Sequence, residues 1–140
     1  MVRARRRGTA IVETPDGILV VSLDGKKFLT PGGGAHRNES RKDAAIRELE
    51  EETGLKGVIV AYLFEFKGVI HKGPRGGLFR NAHKVFLVSA TGVAEPRREV
   101  KKIAFYNGSG LRLSYSAQKI IERYYSLKKS ASGRKGGVGK

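Results

Sequence analysis

The sequence predicts an α/β or α+β fold, with helices packed on the faces of a mixed sheet. Three observations carry that prediction. Strand-like segments outnumber helical ones and are joined mostly by turn signals rather than by crossover helices. Two segments instead repeat their apolar residues at helical spacing, so the order reads strands, helix, strands, helix. The chain has 140 residues, 39% of them hydrophobic, which is enough for one core.

Thr9 to Val12 reads as a strand with Ala10 and Val12 on one face. Pro15-Asp16-Gly17 signals a turn, and Ile18 to Val21 is a continuous β-branched and aliphatic run that fits a buried strand. Asp24-Gly25 marks a hairpin, with Lys27-Phe28-Leu29 as the returning strand. Pro31 to Gly34 is expected to lie outside regular structure. A helix then begins at Ser40, with Asp43 completing a capping box, or at Asn38 as the alternative cap. Ala44, Ala45, Ile46 and Leu49 form its apolar stripe, and Gly54 is placed to end it. Val58 to Phe66, Lys84 to Val88 and Val100 to Tyr106 read as further strands. His71 to Lys84 reads as a loop. Ser114 or Ser116 caps a last helix through Ile120, Ile121, Tyr124 and Leu127. The expected organisation is one domain over residues 1–127, with residues 1–8 as a basic arm and residues 128–140 as a flexible basic tail rich in Gly, Ser and Lys.

Composition narrows the chemistry. Zero Cys excludes a disulfide scaffold, a thiolate zinc site and a cysteine nucleophile. No apolar run approaches the roughly 18 residues of a membrane helix, and a strand-like segment follows the basic start, so a cytoplasmic protein with no membrane partner is expected. The net charge is +15, from 28 Lys and Arg against 13 Asp and Glu. Such a balance invites a polyanionic partner. Residues 1–8 and 126–140 together hold nine basic residues and no acid. The tails therefore carry most of the case for nucleic acid, and a solvated role is the plainer reading for them.

The informative stretch runs from Gly33 to Leu55. On a helix, Glu48, Glu51 and Glu52 share one face through spacings of three and four, whereas Glu50 lies elsewhere. Three clustered carboxylates repel one another unless a cation offsets them, and carboxylate oxygens suit hard ions such as Mg²⁺, or Mn²⁺ in its place. Such an ion serves phosphate chemistry, with a free carboxylate taking a proton from water. Arg47 is placed to orient Glu48, and the Gly32-Gly33-Gly34 backbone can approach a metal or phosphate closely. A solvated acidic helix face is the competing explanation for these residues. The basic character of the rest of the chain and the Gly-rich loop just upstream count against it.

These residues resemble the Nudix box, G-x5-E-x7-R-E-U-x-E-E-x-G-U, where U is aliphatic. Gly33, Glu39, Arg47, Glu48, Leu49, Glu51, Glu52, Gly54 and Leu55 fill its nine specified positions. The resemblance implies a Nudix-type α/β/α sandwich that hydrolyses a nucleoside diphosphate linked to another group, or a related polyphosphate, with Mg²⁺ or Mn²⁺. By position it implies Glu48, Glu51 and Glu52 as metal ligands or general base and Arg47 as the residue that orients Glu48. Glu39 would stand near the metal, the Gly32 carbonyl would join its shell, and Gly33 and Gly34 would shape the substrate loop. A further acid from a later loop would be Glu99 or Glu95, with Glu99 preferred because it precedes a strand.

Markers of substrate lie outside the box. The Pro that follows it in ADP-ribose hydrolases is absent, with Ile70 in its place. The Ser-Gln-Pro-Trp signature of the NADH type and the downstream Tyr of dinucleoside polyphosphate hydrolases are absent too. Pro31 to Gly34 resembles the loop of diphosphoinositol polyphosphate phosphohydrolases, and equally that of many MutT-like members. The segment from His71 to Lys84 is the candidate substrate lid. Its Lys72, Arg75, Arg80 and Lys84 would hold further phosphates, and Phe79 would stack on a base; a mobile surface loop is the alternative. The leading expectation is a hydrolase of a small nucleotide or polyphosphate. An RNA-associated module, or an RNA 5′-pyrophosphohydrolase using the basic tails, is the second. The family also makes a homodimer conceivable, although no segment marks an interface.

Overall fold

The computed structural model describes residues 1–138, with side chains through residue 131. Its elements are β1 (Val2–Ile11), β2 (Glu13–Thr14), β3 (Gly17–Ser22), β4 (Lys27–Leu29), β5 (Gly32–Gly34), α1 (Arg41–Thr53), β6 (Lys56–Lys67), β7 (His71–Lys72), β8 (Leu78–Thr91), β9 (Lys102–Tyr106), β10 (Arg112–Leu113) and α2 (Tyr115–Val138). One sheet runs β5-β1-β8-β6 with β7 also on β8, and the other runs β10-β4-β3-β2 with β9 on β3. Both mix orientations: β1 with β8 and β10 with β4 are parallel, and the other pairings are antiparallel. This is the mixed α+β architecture that the element order predicts.

Strand alternation sends successive side chains to two cores. Ala10 and Val12 join Phe86 and Val88 against Ala45 and Leu49 of α1. Ile11, Phe64 and Val85 join Ile18, Val20 and Phe28 against Ile120, Ile121 and Tyr124 of α2. Ser40 caps α1, its hydroxyl accepting from the Asp43 N–H at 3.0 Å. Gly54 ends the helix at φ 78°, its N–H donating to the Glu50 carbonyl at 2.8 Å. Ser114 is the cap of α2, accepting from the Ala117 N–H at 3.1 Å. Among the described residues no helix is long and apolar enough to cross a membrane.

Four segments differ from expectation. Residues 1–8 are no solvated arm: β1 starts at Val2 and pairs with β8 from Val2↔Leu78 to Ile11↔Leu87, because Arg3, Arg5 and Arg7 continue the alternation of Thr9 and Ile11. Gly32–Gly34 is a strand after all, paired with β1 as Arg7↔Gly34, Gly8↔Gly33 and Thr9↔Gly32. Strand propensity plays no part there, and the neighbouring strand supplies the bonds. The segment His71–Lys84 is mostly strand; only residues 73–77 form a turn, closed by the Gly73 N–H on the Gly77 carbonyl at 2.7 Å. Finally, α2 continues past Leu127 to Val138, through most of the stretch expected to be flexible. Lys128 helps to extend it by pairing with Glu13 at 2.7 Å. Gly139 and Lys140 lie outside the described residues.

Gly8 decides how closely α1 approaches the sheet. A Cβ there would fall 1.9 Å from the Arg41 carbonyl oxygen and 2.6 Å from the Ala45 nitrogen, both helix backbone that cannot swing aside. Gly8→Ala is therefore expected to destabilise the protein by about 3 kcal/mol through overpacking, as read by urea unfolding.

His83 supplies a pH dependence. Its ring is buried between strands, Nδ1 sharing a hydrogen bond with the Thr9 hydroxyl at 2.9 Å. Burial, and secondarily Arg7, hold the imidazole down to about 4, against an ordinary value of 6.5. Between those values the unfolded chain binds the extra proton, so stability is lost as pH falls from about 6.5 towards 4, by at most on the order of 3 kcal/mol. His83→Asn keeps a partner for Thr9 and should lose less melting temperature than the parent between neutral pH and the lower end of that range.

Candidate active site

Three turns of helix place Glu48, Glu51 and Glu52 along the edge where α1 lies over β5. Arg47 organises them. Its Nε and Nη2 donate to the two carboxylate oxygens of Glu39 at 2.9 and 3.0 Å. Nη2 also donates to the Gly34 carbonyl at 2.9 Å, and Nη1 reaches Glu48 at 3.3 Å and Glu51 at 3.2 Å. Glu39 further accepts from the His36 N–H at 2.8 Å. The Arg47 side chain and that N–H hold the Glu39 carboxyl down at about 2, and Glu39 in turn raises the Arg47 guanidinium. One guanidinium thus ties the loop before α1, the β5 backbone and two helix carboxylates together.

Glu52 is outside that clamp. It is half-buried, and its desolvation pushes the carboxyl up to about 8. The Gly32 N–H, donating at 3.1 Å, opposes the rise, as does the charge of Arg7; Glu48 and Glu99 add to it. Among the described residues Glu52 has no ion-pair partner.

The segment before β9 docks on the end of α1 through the Glu95 N–H on the Thr53 carbonyl and the Arg97 N–H on the Glu52 carbonyl, both 3.0 Å. It separates the two later acids. Glu99 is near enough to act on Glu52, whereas Glu95 is exposed and pairs with Arg97 at 3.3 Å.

The cations expected from the 71–84 segment do not gather at these carboxylates. Lys84 points to the α1 side of the sheet, over the Tyr62 ring at 5.8 Å and near Glu65. Arg80 donates to the Gly68 carbonyl at 3.0 Å. Lys72 is exposed on β7, and Arg75 sits on the turn that follows. Phe79 is no open stacking platform: Arg5 lies over its ring at 4.2 Å, and His71 of the opposite neighbouring strand stacks at 5.3 Å. The cation near enough for the charges of Glu48 and Glu52 to act on is Arg7, whose guanidinium is lowered by burial while both carboxylates raise it. Its signal in the sequence is the alternation Arg3, Arg5, Arg7, Thr9, Ile11, which marks a strand through the basic run.

A family model for the NUDIX domain matches residues 3–123. The chain belongs to the Nudix hydrolase family. It is 36% identical to a nudix hydrolase family member from Chromobacterium violaceum, with a TM-score of 0.75 over 97% of this chain and 89% of that one. Nudix hydrolase 16, mitochondrial, of Arabidopsis thaliana is 35% identical over 57 residues, which are 39% of this chain and 32% of that protein. The chain thus matches about a third of that relative's length. The fold is shared at 19% identity by a bifunctional NMN adenylyltransferase/ADP ribose pyrophosphatase from Francisella tularensis, complexed with AMP and a Mn ion. That likeness has a TM-score of 0.63 and covers 91% of this chain and 42% of that one.

The side chains of this Nudix hydrolase suit a divalent cation. The donors are all oxygen, the preference of Mg²⁺ and Mn²⁺. Glu52 is a half-buried carboxyl beside a second one, Glu48, without a cation at bonding distance, and a bound ion would offset the desolvation, and secondarily the repulsion, that lift it. Among the described residues no three acids or histidines are grouped closely enough to hold an ion as they stand. Gly33 keeps the space for Glu48, because a Cβ there would fall 2.4 Å from the Glu48 carboxylate. Gly33→Ala is expected to displace Glu48 and lower kcat/KM at least tenfold. Its melting temperature should change little, since the obstructed group is the end of a flexible side chain.

Proposed function

We propose that this Nudix hydrolase cleaves the pyrophosphate bond of a nucleoside diphosphate linked to another group, using Mg²⁺, or Mn²⁺ in its place. The observation that carries the reading is the asymmetry of the carboxylates: Arg47 binds three of them, while Glu52 stays half-buried and without an ion pair beside Glu48. Glu48, Glu51 and Glu52, with Glu39, Glu99 and the Gly32 carbonyl around them, are the residues to hold the metal. When bound, the ion neutralises phosphate oxygens and strengthens water as an acid. The AMP and Mn ion of the Francisella tularensis protein support both the nucleotide and the metal.

The chain's own groups divide the remaining work. Glu52, left without an ion-pair partner, is the carboxylate suited to take the proton of the attacking water as that oxygen bonds to phosphorus and the bridging P–O bond breaks. Arg47, anchored on Glu39 and Gly34, positions Glu48 and Glu51. Arg7 offers its guanidinium to phosphate oxygens on the same side. Gly33 and Gly34 let the substrate approach the backbone.

Glu52→Gln removes the proton acceptor and keeps the shape. On a panel of nucleotide pyrophosphates with Mg²⁺ or Mn²⁺, the variant should lose roughly 10²–10⁴ in kcat. Without metal it should melt no lower than the parent, because a neutral amide replaces a carboxylate buried without a cation. Unchanged turnover would overturn the role, and a panel without any turned-over member would overturn the function.

A further inference from the structure

We propose that β1 is a track for the backbone of a single-stranded nucleic acid, laid so that a terminal pyrophosphate enters the carboxylate site. The terminal step rests on the proposed function; the track does not.

Arg3, Arg5 and Arg7 stand on one face of a single strand at intervals of about 7 Å, two residues of rise each. Arg7 pairs with Gly34, next to the Gly33 against which the Glu48 carboxylate lies, so the row runs from the carboxylate end of β1 towards its start. On one side it meets a cleft of about 560 Å³ that Arg6, His36 and Arg37 complete. On the other it meets a second cleft, of about 550 Å³, beneath Arg75 and the β7–β8 turn. Arg3 and Arg5 belong to both clefts, and neither cleft has an acidic residue in its lining.

These cations are uncommitted. Among the described residues none of Arg3, Arg5, Arg7, Arg37 or Arg75 is within ion-pairing distance of a carboxylate. Arg3 and Arg5, side by side on one face without a carboxylate at ion-pairing distance, repel one another, and an anion along the strand would relieve that repulsion. Arg5 is held in place by the Phe79 ring at 4.2 Å, which reduces the entropy lost on binding. The strand register also sets Asn81 beside Arg5 and His83 beside Arg7.

The linear layout selects the partner. A compact polyphosphorylated ring calls for cations converging on a point. Neighbouring phosphorus atoms of a phosphoanhydride chain share one oxygen and are spaced too closely for a row with this interval. Successive phosphates of an extended oligonucleotide, separated by a sugar, fit it better, and the edge of β1 beyond Arg7 is free of β5 to receive them.

The test is fluorescence anisotropy of a 3′-labelled single-stranded RNA carrying a 5′-monophosphate, titrated with the full chain across a salt series in chelator, so that no hydrolysis occurs. The parent should bind with affinity falling linearly in log salt. Arg3→Gln with Arg5→Gln, both exposed, should weaken binding about tenfold at low salt and flatten the slope by about 1.4. Arg37→Gln should weaken it in the same direction. Lys101→Gln with Lys102→Gln removes equal charge from the other sheet and should leave the slope nearly unchanged. Equal flattening by the two double variants, no RNA binding, or retention of inorganic polyphosphate in preference to RNA would each overturn the track. If RNA binds as expected but no nucleotide pyrophosphate is hydrolysed with Mg²⁺ or Mn²⁺, the track stands and the proposed function falls.

Discussion

Everything at the site depends on how closely α1 lies on the sheet. Gly8 of β1 lies under the helix backbone at Arg41 and Ala45, and its partner Gly33 lies under the Glu48 carboxylate. Gly32 adds a backbone that no other residue adopts easily, with φ at 151° and the Gly8 carbonyl 2.3 Å from where a Cβ would be. With a side chain at Gly8 the helix would ride higher, and with one at Gly32 β5 would be pushed off β1. The Gly32 N–H would then no longer reach Glu52, nor the Gly34 carbonyl reach Arg47. The same glycines lower the strand propensity of β5, so its pairing depends on β1 being in place. Packing and chemistry are therefore one constraint here.

That constraint explains how an acidic cluster persists in a basic chain. Residues 39–52 hold six acids against three bases. Arg47 neutralises part of this locally, with Glu39 as its firmest partner and the β5 backbone as a third anchor. The residual imbalance falls on Glu52, where burial leaves the carboxyl unstable as an anion until a cation arrives. The satisfied part of the network fixes the shape of the cluster, and Glu52 is the part left without a counter-ion. Division of labour between two neighbouring glutamates thus follows from which one the arginine reaches.

How much of this is legible in the sequence varies by element. The α1 segment is nearly complete there, since Ser40, Gly54, the apolar stripe and the spacing of Glu48, Glu51 and Glu52 are all local periodicities. Of the two later acids, Glu99 is preferable from its position before a strand, although only the hydrogen bonds from Glu95 and Arg97 to α1 bring it near Glu52. The strand at Gly32–Gly34 is illegible because glycine has no preference for it. In residues 1–8 the charge hides an alternation that a run of Val or Thr would make plain. The 71–84 segment misleads in a different way. Its four glycines and prolines mark a tight turn, and the face on which Lys84 emerges depends on register with β1, which no local pattern encodes.

The charge asymmetry then acquires a structural meaning. A flexible tail holds its cations at indefinite distances and contributes a diffuse attraction that salt screens readily. A strand holds them at fixed intervals and at a fixed distance from Glu48 and Glu52. Because β1 is also the strand that pairs with β5 and supports α1, the cations at its far end are tied mechanically to the carboxylates at its near end. An anion aligned on Arg3 and Arg5 is already oriented towards Arg7, so binding along the strand does part of the positioning that hydrolysis of a terminal group requires. Placing the arginines in a sheet rather than in a tail turns net charge into direction.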